Sequence, residues 1–303
     1  MTDVKDVITN MVSYVESYVN NEKYVFFIPR GGFSNCLRII NEVMYFCKRT
    51  NRTLLLDMTS NEYGINCDEH FYLKYDTKII SDTNTIKRIA SNKNLSVSPN
   101  NLEFSLEDIF YKKHIPGITK KKGETFYRYK GNPIQLSNKD NPDIIFYYNH
   151  RGGYGWSIFK EHYFLKNRVK ETCKKRVSVL GDKYLCIQVR CTDIKSSIKE
   201  LYNTNKKCIQ DYNVVYICTD NEDVVRFFKA IHKNVYCFTT FPENREVNLH
   251  GSSVPGDVKF QDMMTDILIA TKSDKIISNS RGGFTNLLME CHQNSNIVMN
   301  KFS

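Results

Sequence analysis

Val25-Phe26-Phe27-Ile28-Pro29-Arg30-Gly31-Gly32-Phe33-Ser34-Asn35 decides how this chain folds. Its last six positions recur near the other end as Arg281-Gly282-Gly283-Phe284-Thr285-Asn286, with threonine in place of serine. A short apolar run precedes each copy, Val25 to Ile28 in the first and Lys275-Ile276-Ile277-Ser278 in the second. A helix-forming stretch follows each, over 35–49 and 285–292. The order reads as strand, glycine turn, helix N-terminus. Backbone N–H groups at a helix start, approached through glycines and flanked by arginine, make an anion site. The pattern therefore predicts the same device near both ends of the chain.

Outward from the first copy, strand and helix alternate: strand 24–29, helix 35–49, strand 53–58, after a polar amphipathic start over 4–20. Such alternation points to an α/β unit with a parallel sheet. Residues 60–142 are less regular, and Lys120-Lys121-Lys122-Gly123 reads as a solvated loop. Ile144-Ile145-Phe146-Tyr147-Tyr148 is a buried strand leading to His150-Arg151-Gly152-Gly153. A helix rich in Lys and Arg is expected over 158–180. Beyond it the rhythm repeats, with strands at 184–189, 214–218, 235–238, 275–278 and 296–299, and helices at 221–232, 261–271 and 285–292. Two Rossmann-like halves follow, 1–165 and 166–303, with ligands at the C-terminal ends of the strands.

The totals agree with a folded two-domain chain. Its 303 residues are 41% hydrophobic and 13% aromatic, enough for real cores and against wholesale disorder. A net charge of +10 favours phosphate-bearing or acidic partners without naming one. The ten cysteines contain no CxxC pair, and several sit in apolar runs. They read as reduced core residues of a cytosolic protein, with no zinc site. Residues 1–6 lack the apolar core of a signal peptide, and no run is long enough to span a bilayer. A cytoplasmic location is expected, bacterial or in the host cytoplasm for a viral protein.

Three segments of the second half end strands in polar residues: Gln188-Val189-Arg190-Cys191-Thr192-Asp193, Cys218-Thr219-Asp220-Asn221 and Ser278-Asn279-Ser280-Arg281-Gly282-Gly283. Before the third, Asp262 and Asp266 stand four apart, on one face of a helix. Val-Arg-x-Thr-Asp, then Val-Tyr-Ile-x-Thr-Asp, then Asp-Ile-Leu with Ser-Asp-Lys-Ile-Ile-Ser-Asn-Ser resembles the fucosyltransferase superfamily of α1,2-, α1,6- and protein O-fucosyltransferases. Gly31-Gly32-Phe33-Ser34-Asn35 resembles the glycine–asparagine loop that opens the α1,2 and protein-O members. The match covers roughly 184–290 and 25–40.

That resemblance implies a GT-B architecture and a nucleoside diphosphate sugar as substrate. Arg190, which could equally pair with a surface carboxylate, would clamp the donor's β-phosphate. Asp266, otherwise a solvent-facing helix residue, would accept hydrogen bonds from a guanine edge. Thr192, Ser278, Ser280, Arg281, Gly282, Gly283, Phe284 and Thr285 would surround the diphosphate, or serve only as a helix cap. Arg30, Gly31, Gly32, Ser34 and Asn35 would line the opposite wall. Asp193 and Asp57 are carboxylates that could assist an acceptor hydroxyl or cap turns. His150 and Arg151 fall at the interdomain crossing. Where the α1,2 and α1,6 members show His-x-Arg-Arg, this chain has Gln188-Val189-Arg190-Cys191, and Ile198 stands where some α1,6-type members have glutamate. GDP-fucose is the donor by resemblance; a UDP-sugar such as UDP-xylose stays open.

No Asp-x-Asp occurs, so neutralising a departing diphosphate would fall to arginine and helix-terminal N–H groups, without a metal cofactor. The expected activity is inverting, metal-independent transfer of the sugar to a hydroxyl of an oligosaccharide or glycoconjugate. Two rivals remain. The basic charge and three Arg-Gly-Gly triplets suit an RNA- or other nucleic-acid-binding protein, although such tracts are usually clustered. The altered Gln188 and Cys191 suit a GT-B fold that binds glycans without catalysis. A P-loop kinase ranks below both, since GxxxxGK[ST] is absent.

Overall fold

A computed structural model describes residues 22–112, 114–121, 124, 126–149, 155–191, 197–244 and 249–303. The polar amphipathic start over 4–20, His150, Arg151, Thr192 and Asp193 lie outside the described residues.

The first half runs β1 (Tyr24–Pro29), α1 (Phe33–Thr50), β2 (Thr53–Leu56), α2 (Cys67–His70), β3 (Phe71–Leu73), β4 (Ile79–Ile80), α3 (Thr83–Ala90), β5 (Val97–Ser98), β6 (Ile118–Thr119), β7 (Arg128–Tyr129), β8 (Asn132–Pro133) and β9 (Ile144–Asn149). Five of these strands form a parallel sheet in the order β4-β2-β1-β9-β5. A strand covered on both faces needs apolar residues throughout rather than in alternation. β1 meets that condition, since all six of its residues are buried. Phe26 lies between Leu55 and Phe146 in the flanking strands, and none of the three has any solvent exposure. Each such side chain contributes about 1.5–3 kcal/mol of burial. β6, β7 and β8 form a small antiparallel sheet within the irregular stretch.

The second half runs α4 (Trp156–Glu161), β10 (Tyr163–Leu165), α5 (Asn167–Val177), β11 (Leu185–Val189), α6 (Ile198–Gln210), β12 (Val215–Thr219), α7 (Glu222–Ile231), β13 (Val235–Tyr236), α8 (Gly256–Lys272), β14 (Lys275–Ser278), α9 (Gly283–Gln293) and α10 (Ser295–Phe302). Its sheet is parallel, in the order β13-β12-β11-β14. Ile187 sits between Ile217 and Ile277 in register, all three buried. The architecture is thus two parallel sheets, each with helical crossovers, as the alternation predicted.

Two element expectations are corrected. The helix over 158–180 is broken: α4 stops at Glu161, and Tyr163–Leu165 pairs antiparallel with β3 before α5 begins. Tyr163 is fully buried there, stacked on Phe71 at 4.6 Å, and that packing outweighs helix propensity. The strand over 296–299 is helix α10. A short apolar run such as Ile297-Val298-Met299 has no period of its own to separate strand from helix. Val298 and Phe302, one turn apart, are fully buried, and the Lys301 Nζ donates to the Tyr163 carbonyl at 3.0 Å. The chain therefore ends against β10, the strand that pairs with β3 of the first half.

The halves also meet beside the first glycine turn. Phe33 packs edge-on to Tyr163 at 5.6 Å and to Phe260 of α8 at 6.1 Å. At the start of α8, a Cβ on Gly256 would lie 1.5 Å from the Tyr63 carbonyl oxygen, so only glycine lets the helix approach the loop after β2. Among the described residues no helix is long and apolar enough to cross a membrane.

Candidate active site

A cleft opens between the C-terminal ends of the two sheets, where ligands bind in open α/β folds. Gly32, Phe33, Ser34, Asn35 and Tyr63 line it from the first half. Gln188, Arg190, Cys218, Asp220, Gly283 and Phe284 face them from the ends of β11, β12 and β14. The parallel register brings Gln188 level with Ser278 and Val189 level with Thr219, so three polar strand ends converge. The Asp220 carboxylate accepts from the Cys191 N–H at 2.9 Å and ties the first two ends together.

Gln188 organises the third. Its Oε1 accepts from the Ser278 hydroxyl at 2.6 Å and from the Thr285 hydroxyl at 2.9 Å. The Ser278 oxygen in turn accepts the Ser280 N–H at 3.0 Å. Ser278 and Thr285 therefore shape the turn through Gln188. Arg281 is exposed, Gly283 and Phe284 are half-buried, and the N-cap of α9 is Gly282, which has no side chain with which to cap the helix. Among the described residues no side chain accepts from the N–H of Gly282, Gly283 or Phe284. Ser280 is buried, with its hydroxyl unpartnered.

The N-terminal copy departs from the expected device. Gly31 adopts φ +93°, a left-handed conformation that glycine alone takes at no steric cost. That turn swings Arg30 into the protein, where it is 6% exposed. Its Nη1 donates to the Ser60 carbonyl at 2.9 Å, and its Nη2 pairs with Glu62 Oε1 at 2.9 Å. The other Glu62 oxygen accepts the Gly31 N–H at 3.0 Å, and the Tyr63 hydroxyl accepts the Phe33 N–H at 2.8 Å. An internal carboxylate thus takes the place expected for a ligand anion. Arg30 and Gly31 do not reach the cleft lining, whereas Gly32, Ser34 and Asn35 do.

Asp57 is a further correction. It is 1% exposed and absent from the lining, and its Oδ1 accepts from the Thr59 N–H at 2.8 Å and the Thr59 hydroxyl at 2.6 Å. Burial pushes its carboxyl up, opposed by those hydrogen bonds. It is the cap of the turn after β2 and has no path to an acceptor.

Asp262 and Asp266 share one face of α8, as their spacing required, but that face is inside and lines the cleft. Asp262 pairs with Arg176 at 2.7 Å and accepts the Thr240 N–H at 2.7 Å. Asp266 Oδ1 accepts from the Tyr216 hydroxyl at 2.5 Å. Burial drives the Asp266 carboxyl up to about 7, against the pull of Tyr216 and Cys218 hydrogen bonds. Lys259 and Tyr63 are lining residues that sequence reasoning missed. Lys259 carried a signal, since it sits three residues before Asp262 on the same face. It is 5% exposed, with its ammonium donating to the Ser252 carbonyl at 3.0 Å. Tyr63 carried none.

No family model and no curated protein matches the chain. Solved structures match it in shape. The NodZ α1,6-fucosyltransferase soaked with GDP-fucose aligns over 89% of this chain and 93% of its own, with TM-score 0.55 and 15% identity. The same enzyme co-crystallised with GDP aligns over 89% and 92%, with TM-score 0.55 and 14% identity. Fucosyltransferase NodZ from Bradyrhizobium gives 0.56 and 16% over 89% and 93%. At such identities the likeness is one of fold. The two parallel sheets and the cleft between their C-terminal ends are the GT-B fold that this chain shares with the fucosyltransferase NodZ.

Proposed function

We propose that this protein is an inverting glycosyltransferase that moves a sugar from a nucleoside diphosphate sugar to a glycan hydroxyl, without a metal ion. The observation that carries the reading is the open start of α9 beside Arg190 at the convergence of three parallel strand ends. Uncapped helix N–H groups and a guanidinium neutralise the charge that builds on a departing diphosphate. Arg190 clamps that group. Gly282, Gly283 and Phe284 offer their N–H groups, and Arg281 adds charge. Thr192 and Asp193 follow Arg190 by two and three positions in the sequence and complete the proposed set. Residues 166–303 form the nucleotide side and 1–165 the acceptor side.

GDP-fucose is the first donor to consider, because NodZ was solved with it and the fold is shared. Asp266 then meets the base edge with the oxygen that Tyr216 leaves open. Titration with GDP-fucose, UDP-xylose and other UDP-sugars, followed by thermal stabilisation and donor hydrolysis, tests the reading. A response to GDP-fucose alone supports fucose transfer. A response to a UDP-sugar keeps glycosyl transfer and replaces the donor; silence from all of them sinks the proposal.

A further inference from the structure

Inverting displacement brings the acceptor oxygen to the anomeric carbon opposite the departing group. With the diphosphate held at the start of α9, the acceptor arrives from the wall built by β1 and β2. A carboxylate that takes its proton must stand on that wall too. The loop after β2 carries two. Asp57 is sealed against Thr59, as described. Glu62 is not: its side chain is 22% exposed, and each carboxylate oxygen accepts from one donor, Arg30 or Gly31, keeping a lone pair. Its chain neighbour Tyr63 and the neighbour of its second donor, Gly32, both line the cleft. Arg30 is itself held by the Ser60 carbonyl and lies 5.2 Å from the Tyr148 ring centre, so the Glu62 carboxylate is fixed in direction. Tyr127, half-buried and edge-on to Tyr148 at 4.8 Å, adds an aromatic surface to the same corner, of the kind on which the C–H face of a pyranose packs.

We propose that Glu62 and Tyr127 border the subsite for the acceptor saccharide, with Glu62, held in place by Arg30, as the general base for its hydroxyl. The inference rests on the glycosyl-transfer reading above. In the step, the acceptor oxygen bonds to the anomeric carbon while the bond from that carbon to the diphosphate oxygen breaks, and the electron pair leaves with the diphosphate. The hydroxyl proton passes to Glu62 and then to solvent. Arg30 and the Gly31 N–H keep the carboxylate aimed and take no proton.

The test compares wild type with Glu62→Gln and Glu62→Asp, using GDP-fucose (or UDP-xylose, should the donor titration select it) and water as acceptor. Stabilisation by GDP or UDP alone reports the donor side independently. Glu62→Gln is expected to keep the nucleotide-induced stabilisation and to lose donor hydrolysis by about 10²-fold or more. Sodium azide, a nucleophile with no proton to give up, is expected to restore donor cleavage in Glu62→Gln by at least about tenfold and to change the wild type little. Glu62→Asp should retain an intermediate rate. Hydrolysis by Glu62→Gln within a few-fold of wild type overturns the proposal. So does a loss that azide does not rescue, or one that takes nucleotide binding with it, since that is the mark of a structural ion pair. A wild type that cleaves no donor overturns this inference together with the activity beneath it.

Discussion

The two copies of the hexamer share their chemistry and differ in what the fold puts against them. In the first, Arg30 is buried on Glu62 and the Gly31 N–H is capped by the same carboxylate. In the second, Arg281 is exposed and, among the described residues, no side chain accepts from the N–H of Gly282, Gly283 or Phe284. Even the helices begin one position apart, at Phe33 after the N-cap Gly32 and at Gly283 after the N-cap Gly282. Near-identical local sequence therefore makes one corner closed by an internal carboxylate and one turn that, among the described residues, no side chain closes. A ligand-binding turn is defined as much by what does not cover it as by its own residues.

The comparison breaks most sharply at Arg190. Arg190→Ala is expected to cut turnover about 10²- to 10³-fold, roughly 3–4 kcal/mol of transition-state stabilisation, with little change in thermal midpoint. Near-wild-type donor hydrolysis would take this residue, and the open-wall reading with it, out of the mechanism.

On the same wall, Asp266 makes stability pH-dependent. Its folded pKa of about 7 lies above the value of an exposed carboxyl, so the folded state holds the proton more tightly. The stabilisation is complete below about pH 4 and is lost as the pH rises through about 7. Over that window the wild type should lose a few kcal/mol relative to Asp266→Asn, because each pH unit separating the folded from the unfolded value is worth about 1.4 kcal/mol. Urea unfolding of the two proteins at pH 4.5 and 7.5 measures this. Parallel pH profiles would show that the carboxyl is not held protonated.

The same substitution in both hexamers sharpens the contrast. Arg30→Ala strips the Ser60 carbonyl and Glu62 of their donor, which should destabilise the fold by about 2–3 kcal/mol, below the figure for a fully buried pair because Glu62 is partly exposed. Arg281→Ala should leave stability within about 0.5 kcal/mol. Its expected effect is on nucleotide binding, about 0.3–1 kcal/mol and weaker at high salt. Equal stability losses from the two variants would erase the distinction between closed and open copies.

Most of the fold was legible because its signals are local. β1, β9, β11, β12 and β14 are apolar runs that end at glycine or polar turns, and such runs stay strands wherever a second layer covers them. The failures came where tertiary packing outvoted local pattern. Tyr163 was drawn into a strand by Phe71, and burial of Val298 with Phe302 wound the last segment into a helix packed on α8 and β10. Asp266 could be assigned to the same helix face as Asp262. That the face is interior depends on β12, which brings Tyr216 over it.

The candidate site divides along the same line. Strand, glycine turn and helix start follow from residues adjacent in the chain, so the existence of two anion-shaped turns was already determined by the amino-acid order. Which of them is open was not. Glu62 reaches Gly31 from 31 positions away, out of a loop with no period and no motif. Gln188 reaches Ser278 and Thr285 across 90 and 97 positions. Contacts of that separation exist only once both sheets are assembled, because the chain between their partners must first close on itself. Only the tertiary structure could decide that the first turn is filled by the protein's own carboxylate while, among the described residues, no side chain takes up the N–H groups of the second.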